Sequence, residues 1–318
     1  MNILNSLKDL VRGSADISAR LAATETRLES LKLLTARAII NQLREHGIYD
    51  DIHETEFKVF SQFGDDGIIQ YLINNTEIEE RAFIEFGVEN YTESNTRFLL
   101  INNNWKGLVI DGSSAHIEYI KSDSIYWRHE LTAVHSFIDK ENINEIIAGQ
   151  GFTGALGILS IDIDGNDYWI WECIVGVEPV VVIIEYNSVF GVNHAITIPY
   201  DPTFNRTKAH PSNLYWGASL KAMCRLAEKK GYAFVGSNSS GNNAYFVRKD
   251  KLGGIHALSP ESGYVKSRFR ESLDEQGRLT YLSDTERLKA IEEMTVYDLE
   301  RGALVKIKSL YDGQEARS

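Results

Sequence analysis

The sequence predicts a doubly wound α/β domain that follows a helical N-terminal extension, and three observations support this. After Phe57, short β-branched runs alternate with amphipathic segments, which is typical of a mostly parallel sheet covered by helices. From Asn5 to about Glu45 there is no proline, and helix-forming residues dominate. The 318 residues, 43% hydrophobic and 25% charged, are enough for one large core with appendages. We therefore expect a helical extension at 1–56, the α/β domain at 57–250 and a mixed C-terminal tail, packed on the core, at 251–318.

The N-terminal extension carries a weak heptad pattern. Four apolar side chains fit its a and d positions: Ile17, Leu21, Leu28 and Leu31. Thr24 and Thr35 occupy other such positions, and Gly13-Ser14 is expected to interrupt the helix. The pattern indicates an oligomerising helix that joins copies of the chain. Two alternatives stay open, namely a helix docked on its own domain and peripheral membrane contact through the first turns.

Strands and helices alternate through the α/β domain. Five apolar runs are predicted as successive strands, at 83–87, 108–111, 125–134, 158–162 and 180–185. Helices are predicted between them at 95–103, 115–121, 140–148 and 167–175. A further helix at 218–230 precedes two strands, at 232–236 and 244–248, that form an antiparallel hairpin closing the sheet. In such sheets, ligands bind outside the carboxyl ends of the strands.

Charge and cysteine content exclude several classes of function. A net charge of −12 leaves no broad basic field, so nucleic acid is not expected as the main partner. The two cysteines, Cys173 and Cys224, provide neither a disulfide framework nor a cysteine metal site, which fits a reducing compartment. The first residues lack the features of a signal peptide, and the most apolar run, 180–184, is too short to span a bilayer. A cytoplasmic protein without a transmembrane segment is therefore expected.

The first two predicted strands end in residues suited to a nucleoside. The first ends in Glu85-Phe86-Gly87, and the second ends in Asp111, 24 residues after Gly87. A glycine allows the backbone to pass close to a ligand, and a carboxylate at the second strand tip can bind a ribose diol. We therefore predict Asp111 as a ribose ligand. The alternative is an acidic N-cap for the following helix, beside Ser113 and Ser114.

Acidic and amide side chains follow the fourth and fifth strands. Asp162-Ile163-Asp164-Gly165-Asn166-Asp167 comes directly after one strand, and Glu185-Tyr186-Asn187 ends the next. Neighbouring strands lie about 4.8 Å apart, so side chains from the two tips converge. Oxygen ligands of this kind suit Mg²⁺, and we predict that Asp162, Glu185 and Asn187 hold it. Alternatively, the same groups hydrogen-bond a substrate and accept its proton directly.

Three residues are candidates for the catalytic base that removes a substrate proton. Asp164 and Asp167 lie in the acidic stretch after the fourth strand. His210 lies in an irregular insertion at 205–214, where loops that cover a substrate are common. A single loop histidine is also compatible with an ordinary surface position.

Four segments resemble the FkbM-like methyltransferases and related class I enzymes. In order, they are Glu85-Phe86-Gly87, Ser94-Asn95-Thr96, Trp105-Lys106-Gly107-Leu108-Val109-Ile110-Asp111 and Leu159-Ser160-Ile161-Asp162-Ile163-Asp164-Gly165. The resemblance covers residues 60–248 and implies S-adenosylmethionine as cofactor, with Asp111 on its ribose hydroxyls. It implies further cofactor contacts from Glu85, Gly87, Val88, Glu89 and Ser94 or Asn95. The segment 61–67, with Gln62 and Asp65, resembles a family element that would cover the cofactor or the active site.

The same resemblance implies the reaction class. The acidic tips are similar to those of catechol-type and macrocin-type O-methyltransferases, in which a fourth-strand Asp and a fifth-strand acid and amide hold Mg²⁺. The expected function is methyl transfer to a hydroxyl of a sugar or glycan of the surface-polysaccharide type, with a secondary metabolite as alternative acceptor. In such an acceptor site, Tyr186, Tyr215 and Trp216 would stack on a sugar or else pack in the core.

The loop after the first strand departs from the usual pattern. Glu89, Asn90 and Tyr91 stand where such folds usually have further glycines. This argues against a dinucleotide, whose pyrophosphate needs close backbone approach at several glycines. It also leaves open a catalytically inert Rossmann-like module that assembles with a glycan-biosynthesis enzyme.

Overall fold

The computed structural model describes residues 3–311, without the side chains of 3–15, 22 and 284, and has two compact units divided between His46 and Gly47. The first unit is one helix, α1 (Ile3–His46). The predicted interruption at Gly13-Ser14 is wrong, because strong helix formers on both sides outweigh the cost of a single glycine, about 1 kcal/mol. Along α1, the heptad side chains Ile17, Leu21, Leu28 and Leu31 are 54–59% exposed.

Strands and helices of the second unit alternate as predicted. The strands are β1 (Ala82–Phe86), β2 (Lys106–Asp111), β3 (Leu131–His135), β4 (Gly154–Ile161), β5 (Val177–Glu185), β6 (Ile196–Thr197), β7 (Tyr232–Ser237), β8 (Asn243–Arg248), β9 (Thr295–Asp298) and β10 (Ala303–Lys306). The helices are α2 (Asp65–Asn75), α3 (Arg97–Asn103), α4 (Ser114–Ser122), α5 (Ser124–Arg128), α6 (Ile143–Gly149), α7 (Asp167–Cys173), α8 (Arg206–Ala209), α9 (Leu220–Lys230), α10 (Pro260–Gly263), α11 (Asp284–Ala290) and α12 (Lys308–Tyr311).

Within residues 47–311, seven strands form one sheet in the order β3-β2-β1-β4-β5-β8-β7. The pairs among β1 to β5 are parallel, and β8 runs antiparallel to both β5 and β7. From the central pair of β1 and β4, later strands are added on both sides, which is the doubly wound arrangement. The predicted fold class and the closing hairpin are confirmed.

One predicted strand is partly wrong. Residues 125–128 belong to α5, and β3 begins only at Leu131. The side chain of Asp123 accepts a hydrogen bond from the backbone N–H of Ile125 and so caps the start of this short helix. The apolar run 125–127 fits a helix as well as a strand, and the cap decides between them.

The sheet is held by alternate apolar side chains. Ile84, Leu108, Leu159 and Val182 come from four different strands and lie in one buried cluster with side chains of α6, α7 and α9. Helix α9 starts where the hydroxyl of Ser219 accepts a hydrogen bond from the N–H of Ala222. Because β1 to β5 run parallel, their carboxyl ends lie along one edge of the sheet.

A second, smaller sheet joins the whole insertion between β5 and α9, residues 186–219, to the C-terminal tail. Its order is β10-β9-β6, all antiparallel. Around it lies a separate apolar cluster that includes Phe190, Ile196, Leu214, Ile291 and Ile307. The tail is thus packed against the insertion in this unit. Among residues 3–311, no helix has both the length and the apolar composition needed to cross a membrane.

Candidate functional site

A cavity of about 450 Å³ lies at the carboxyl ends of β1, β2, β4 and β5, and we call it the larger cavity to distinguish it from an adjoining one of about 120 Å³. Most of the predicted site residues line it: Gln62, Glu85, Gly87, Val88, Glu89, Ser94, Asn95, Asp111, Asp162, Asp164 and Glu185. The predicted residues that do not line it are Asp65, Asp167, Asn187 and His210. The structure therefore brings together residues that are up to 123 positions apart in the chain.

The ends of β1 and β4 are in close contact at Gly87. This residue has a φ of +70°, and a Cβ atom there would lie 1.6 Å from the carbonyl oxygen of Asp162. Only glycine fits, because no larger residue leaves room for that backbone oxygen. The turn after β1 and the acidic loop after β4 are thereby packed directly against each other.

The loop after Gly87 takes left-handed conformations without further glycines. Glu89 and Tyr91 have φ values of +47° and +61°. The N–H of Glu89 donates to Asp111 Oδ2 at 2.8 Å, and the fully buried Tyr91 donates its N–H to the carbonyl of Val88 at 2.8 Å. Tertiary contacts thus hold side-chain-bearing residues in a geometry that glycine would adopt freely.

Glu85 positions the far end of the same loop. Its carboxylate accepts hydrogen bonds from the N–H groups of Asn95 and Thr96, at 2.9 and 3.1 Å, and from the Thr96 hydroxyl. Burial raises the pKa of Glu85, although these hydrogen bonds oppose the rise. The side-chain amide of Asn95 in turn donates a hydrogen bond to Ser160 Oγ on β4 at 3.1 Å. This network fixes the wall formed by residues 94–96.

Asp111 ties the end of β2 to both neighbouring loops. Its Oδ1 accepts the N–H of Ser113 at 2.8 Å and lies 3.1 Å from Nδ1 of His116, and Oδ2 accepts the N–H of Glu89. The N-cap of α4 is Ser113, whose hydroxyl accepts the N–H of His116. Asp111 is thus not the cap itself, and its carboxylate lines the cavity beside the loop backbone.

Three carboxylates form one wall of the larger cavity. Asp162, Asp164 and Glu185 each place an oxygen within 4.8 Å of the other two. Burial raises the pKa of Asp162 and of Glu185 well above their usual values, and repulsion among these carboxylates adds to the rise. In the part of the chain that is described, Glu185 Oε2 is buried without a hydrogen-bond partner. The oxygen-only donor set and this unsatisfied atom fit a hard divalent cation.

Arg206, from the insertion, provides the positive charge next to these acids. Its Nη1 donates to Asp164 Oδ1 at 2.7 Å, and its guanidinium lies over the ring of Trp216, 4.6 Å from the centroid. Its Nε donates to the carbonyl of Asn213 at 3.1 Å. Nothing in the sequence pattern pointed to Arg206, which is 42 residues from Asp164.

Two of the predicted site residues act within the fold instead. Asp65 is fully buried, and its Oδ1 accepts hydrogen bonds from the side chains of Asn238, Asn243 and Tyr245 on the β7–β8 hairpin. Asp167 is also fully buried, and it accepts the N–H groups of Ile163 and Gly165. The structure thus places neither the predicted cofactor contact Asp65 nor the predicted base Asp167 in the lining of the larger cavity.

The predicted metal ligand Asn187 and the predicted base His210 also lie outside the lining of the larger cavity. The side-chain NH₂ of Asn187 donates to the carbonyls of Leu214 and Trp216, and its side-chain oxygen accepts the N–H of Val189. The side chain therefore makes its hydrogen bonds within the insertion. His210 Nδ1 lies 2.8 Å from Ser212 Oγ within its own loop. Neither side chain reaches the larger cavity, and Asp164 takes the place of Asn187 beside the other two acids.

A smaller cavity, of about 120 Å³, adjoins the larger one. Four residues line both cavities: Gln62, Glu185, Arg206 and Asn242. Its other walls include Trp216 from the insertion and Ser267, Phe269 and Glu271 from the C-terminal tail. Phe269 packs on Phe63, with 4.9 Å between ring centroids. The tail therefore contributes to a site beside the acidic cluster, which its sequence did not indicate.

Ser136, Phe137 and Ile138 also line the larger cavity and were not predicted. They follow β3, the neighbour of β2, and Phe137 remains 58% exposed. A signal was available, because ligands in such sheets bind at the carboxyl end of each strand, including the third.

The chain is similar to several solved structures, at low sequence identity. No family model matches the chain, and no curated protein matches it significantly. An O-methyltransferase from Bacillus cereus, in complex with SAH, is 11% identical, with a TM-score of 0.36 over 67% of this chain and 88% of that chain. A S-adenosylmethionine-dependent methyltransferase from Clostridium acetobutylicum is 10% identical, with a TM-score of 0.37 over 60% and 91%.

The DszA carbon methyltransferase is 13% identical, with a TM-score of 0.38 over 60% of this chain, which spans about half of that protein's length (54%). Similarity this low carries no residue roles from one protein to another. The fold class rests on the strand order itself, in which β8 is inserted antiparallel between β5 and β7. The second unit thus has a doubly wound, Rossmann-like α/β fold that an antiparallel hairpin closes.

Proposed function

We propose that the protein is an S-adenosylmethionine-dependent O-methyltransferase of the FkbM-like type. One observation carries the proposal: Asp111 and the three carboxylates Asp162, Asp164 and Glu185 line the same cavity at the carboxyl edge of the sheet. A nucleoside ligand held at Asp111 would therefore extend toward a cluster suited to activating a hydroxyl. The proposed function rests on this geometry.

The donor side of the larger cavity suits each part of the cofactor. Asp111 would bind the ribose hydroxyls, the loop 87–95 would hold the methionine part, and Phe137 and Ile138 would contact the adenine face. When bound, S-adenosylmethionine supplies an electrophilic methyl group. The protein has to place the acceptor oxygen in line with that group and remove one proton.

The acidic cluster supports a magnesium site. Asp162, Asp164 and Glu185 would hold the ion, since their oxygens converge and Glu185 Oε2 is buried without a partner among the described residues. A bound divalent cation would supply Lewis-acid chemistry that lowers the pKa of a nearby hydroxyl. Without a cation, Asp164 is the base that we favour, because among the predicted bases only its carboxylate lines the cavity.

The lining of the smaller cavity suits a neutral, hydroxylated acceptor such as a sugar. Its charged wall residues balance, with Glu185 and Glu271 against Arg206 and Arg287. Trp216 and Phe269 provide rings against which a sugar face packs, and hydrogen-bonding groups surround them. We propose a sugar or glycan as acceptor, with a secondary metabolite as the alternative.

Calorimetric titration with S-adenosylmethionine tests the proposed function. We expect binding at micromolar to millimolar cofactor, and Asp111→Asn should weaken it about tenfold or more, because the amide replaces an acceptor for the ribose hydroxyls. Asp123→Asn, which changes a helix cap outside the cavity, is the matched control and should bind like the wild type. Absence of measurable binding to the wild type would favour the inert module instead.

We further propose that α1 joins two copies of the chain, in a cytoplasmic protein. Its heptad side chains Ile17, Leu21, Leu28 and Leu31 are more than half exposed, and pairing with a second helix would bury them. Light scattering on the full chain with Leu21→Glu and Leu28→Glu should give half the mass of the wild type. An unchanged mass would exclude this interface.

A further inference from the structure

Arg206 occupies the boundary between the two cavities. It lines both of them, and its side chain is only 20% exposed. It is held from several sides, with Nη1 on Asp164 Oδ1, Nε on the carbonyl of Asn213 and the guanidinium plane over Trp216. Glu271 from the tail lies 4.0 Å from Nη2. A side chain in this position separates the donor side from the acceptor side.

The same guanidinium compensates the acidic cluster. Burial disfavours the charge of Arg206, but Glu185 and Asp164 raise its pKa above the usual value. Asp164 is the most exposed of the three acids, with 61% of its side chain accessible, and it is the acid that Arg206 contacts directly. The contact therefore uses the carboxylate that a cation arriving from solvent would meet first.

A guanidinium and a divalent cation compete for Asp164. The oxygen atoms of the cluster lie within 4.8 Å of one another, and the Nη1 of Arg206 is 2.7 Å from one of the Asp164 oxygens. Two cations this close repel each other, and Arg206 already supplies positive charge beside Glu185 and Asp164. Entry of the divalent ion thus favours withdrawal of the guanidinium.

Withdrawal of Arg206 would change the smaller cavity. Its guanidinium covers the ring of Trp216, which is only 7% exposed. Once the guanidinium moves, the ring face becomes available for a sugar ring, and the passage between the two cavities widens. The ion at the acidic cluster and the acceptor surface are therefore linked through one side chain.

We propose that Arg206 is an exchangeable internal cation that holds Asp164 and covers Trp216 until a divalent cation displaces it. This inference rests on the proposed magnesium site and extends it: the cation must bind before the acceptor, because its entry uncovers the acceptor surface. Arg206 is in this sense a positioning residue that couples the two cavities.

Calorimetric titration with MgCl₂ tests the competition. Arg206→Gln removes the charge and should bind Mg²⁺ about tenfold more tightly than the wild type, while Arg206→Lys, which keeps the charge, should stay close to it. Arg225→Gln removes a surface ion pair with Glu300 and serves as the matched control, with unchanged affinity. Equal or weaker binding by Arg206→Gln, or no Mg²⁺ binding by any of these proteins, would overturn the proposal.

Tryptophan fluorescence of the wild type provides a second measurement that needs no charge variant. Addition of Mg²⁺ should change the emission, because the guanidinium leaves the ring of Trp216, and Trp216→Phe should abolish that change. An emission that does not respond in the wild type would also overturn the proposal. Binding of S-adenosylhomocysteine, titrated on the same samples, distinguishes failure of this inference from failure of the proposed function. If S-adenosylhomocysteine binds, a negative result concerns Arg206 alone. If it does not bind, the proposed function fails.

Discussion

The carbonyl oxygen of Asp162 lies where a Cβ atom of residue 87 would be, only 1.6 Å from that position. This contact joins the turn beside the cofactor region to the loop that carries the acids. A shift of one loop therefore displaces the other, and the distance between the donor and acceptor sides of the site depends on a residue without a side chain.

We predict that Gly87→Ala destabilises the protein by about 3 kcal/mol or more, because the methyl group collides with backbone and cannot be relieved by a rotamer change. Urea unfolding measures this. Gly149→Ala, at the end of α6 with no atom within 4 Å of the new Cβ, is the control and should be as stable as the wild type or up to about 1 kcal/mol more stable. Equal stability of the two variants would contradict the close approach.

Glu89 offers a test of the left-handed loop. Its φ of +47° is unfavourable for any residue with a Cβ atom, and most of all for a β-branched one. Glu89→Gly should leave the free energy of unfolding unchanged or raise it by up to about 1 kcal/mol, whereas Glu89→Val should lower it by about 1 to 2 kcal/mol. Chemical denaturation compares them, and a Val variant as stable as the Gly variant would argue against this backbone conformation.

The partly buried Asp162 and the buried Glu185 should destabilise the metal-free protein. Burial and mutual repulsion raise the pKa of Asp162 and Glu185, so Asp162→Asn or Glu185→Gln should raise the free energy of unfolding by about 1 to 2 kcal/mol without metal. Mg²⁺ should raise the melting temperature of the wild type but not of these variants. Glu178→Gln, at the amino end of β5 with 76% of its side chain exposed, is the control and should respond like the wild type.

The pH dependence of stability tests Asp66. Its Oδ2 accepts the N–H groups of Val59, Phe60 and Ser61, yet burial raises its pKa from 3.8 to about 6. Because the folded-state pKa lies above the unfolded value, the contribution of Asp66 to stability is fully present below about pH 4 and is lost as the pH rises through 6.

The measurement is the difference in unfolding free energy between wild type and Asp66→Asn. This difference should become less favourable to the wild type by up to about 3 kcal/mol between pH 4 and pH 7. Using the difference removes the contributions of all other titrating groups. A difference that instead grows in favour of the wild type would mean that the hydrogen bonds hold the pKa of Asp66 low.

Much of the fold was predictable because the signals are local. Runs of β-branched residues marked the strands of the sheet, and Ser219 and Gly231 bracket α9 as cap residues do. The strand predicted at 125–134 was partly wrong, because an N-cap at Asp123 favours a helix in a run whose apolar composition also fits a strand. Local pattern gives the element type only when no such competition exists.

The candidate site was predictable only where topology alone determines position. Asp111, Asp162 and Glu185 follow strands, so the rule for carboxyl ends brings them together. Asn187 and Asp167 obey the same rule, but backbone groups take up their hydrogen-bonding capacity, which a sequence does not reveal. Arg206 reaches Asp164 through the path of the insertion, and that path depends on tertiary packing rather than on spacing.

The smaller sheet of β6, β9 and β10 has a consequence for how acceptor preference can diverge. The donor side is tied to the parallel sheet through Gly87 and Asp111, where few changes are tolerated. The acceptor walls instead come from two segments that are distant in the chain and have an apolar cluster of their own. Under the proposed function, exchange of those two segments together, as one module, would therefore change which molecule is methylated and leave the binding of the donor intact.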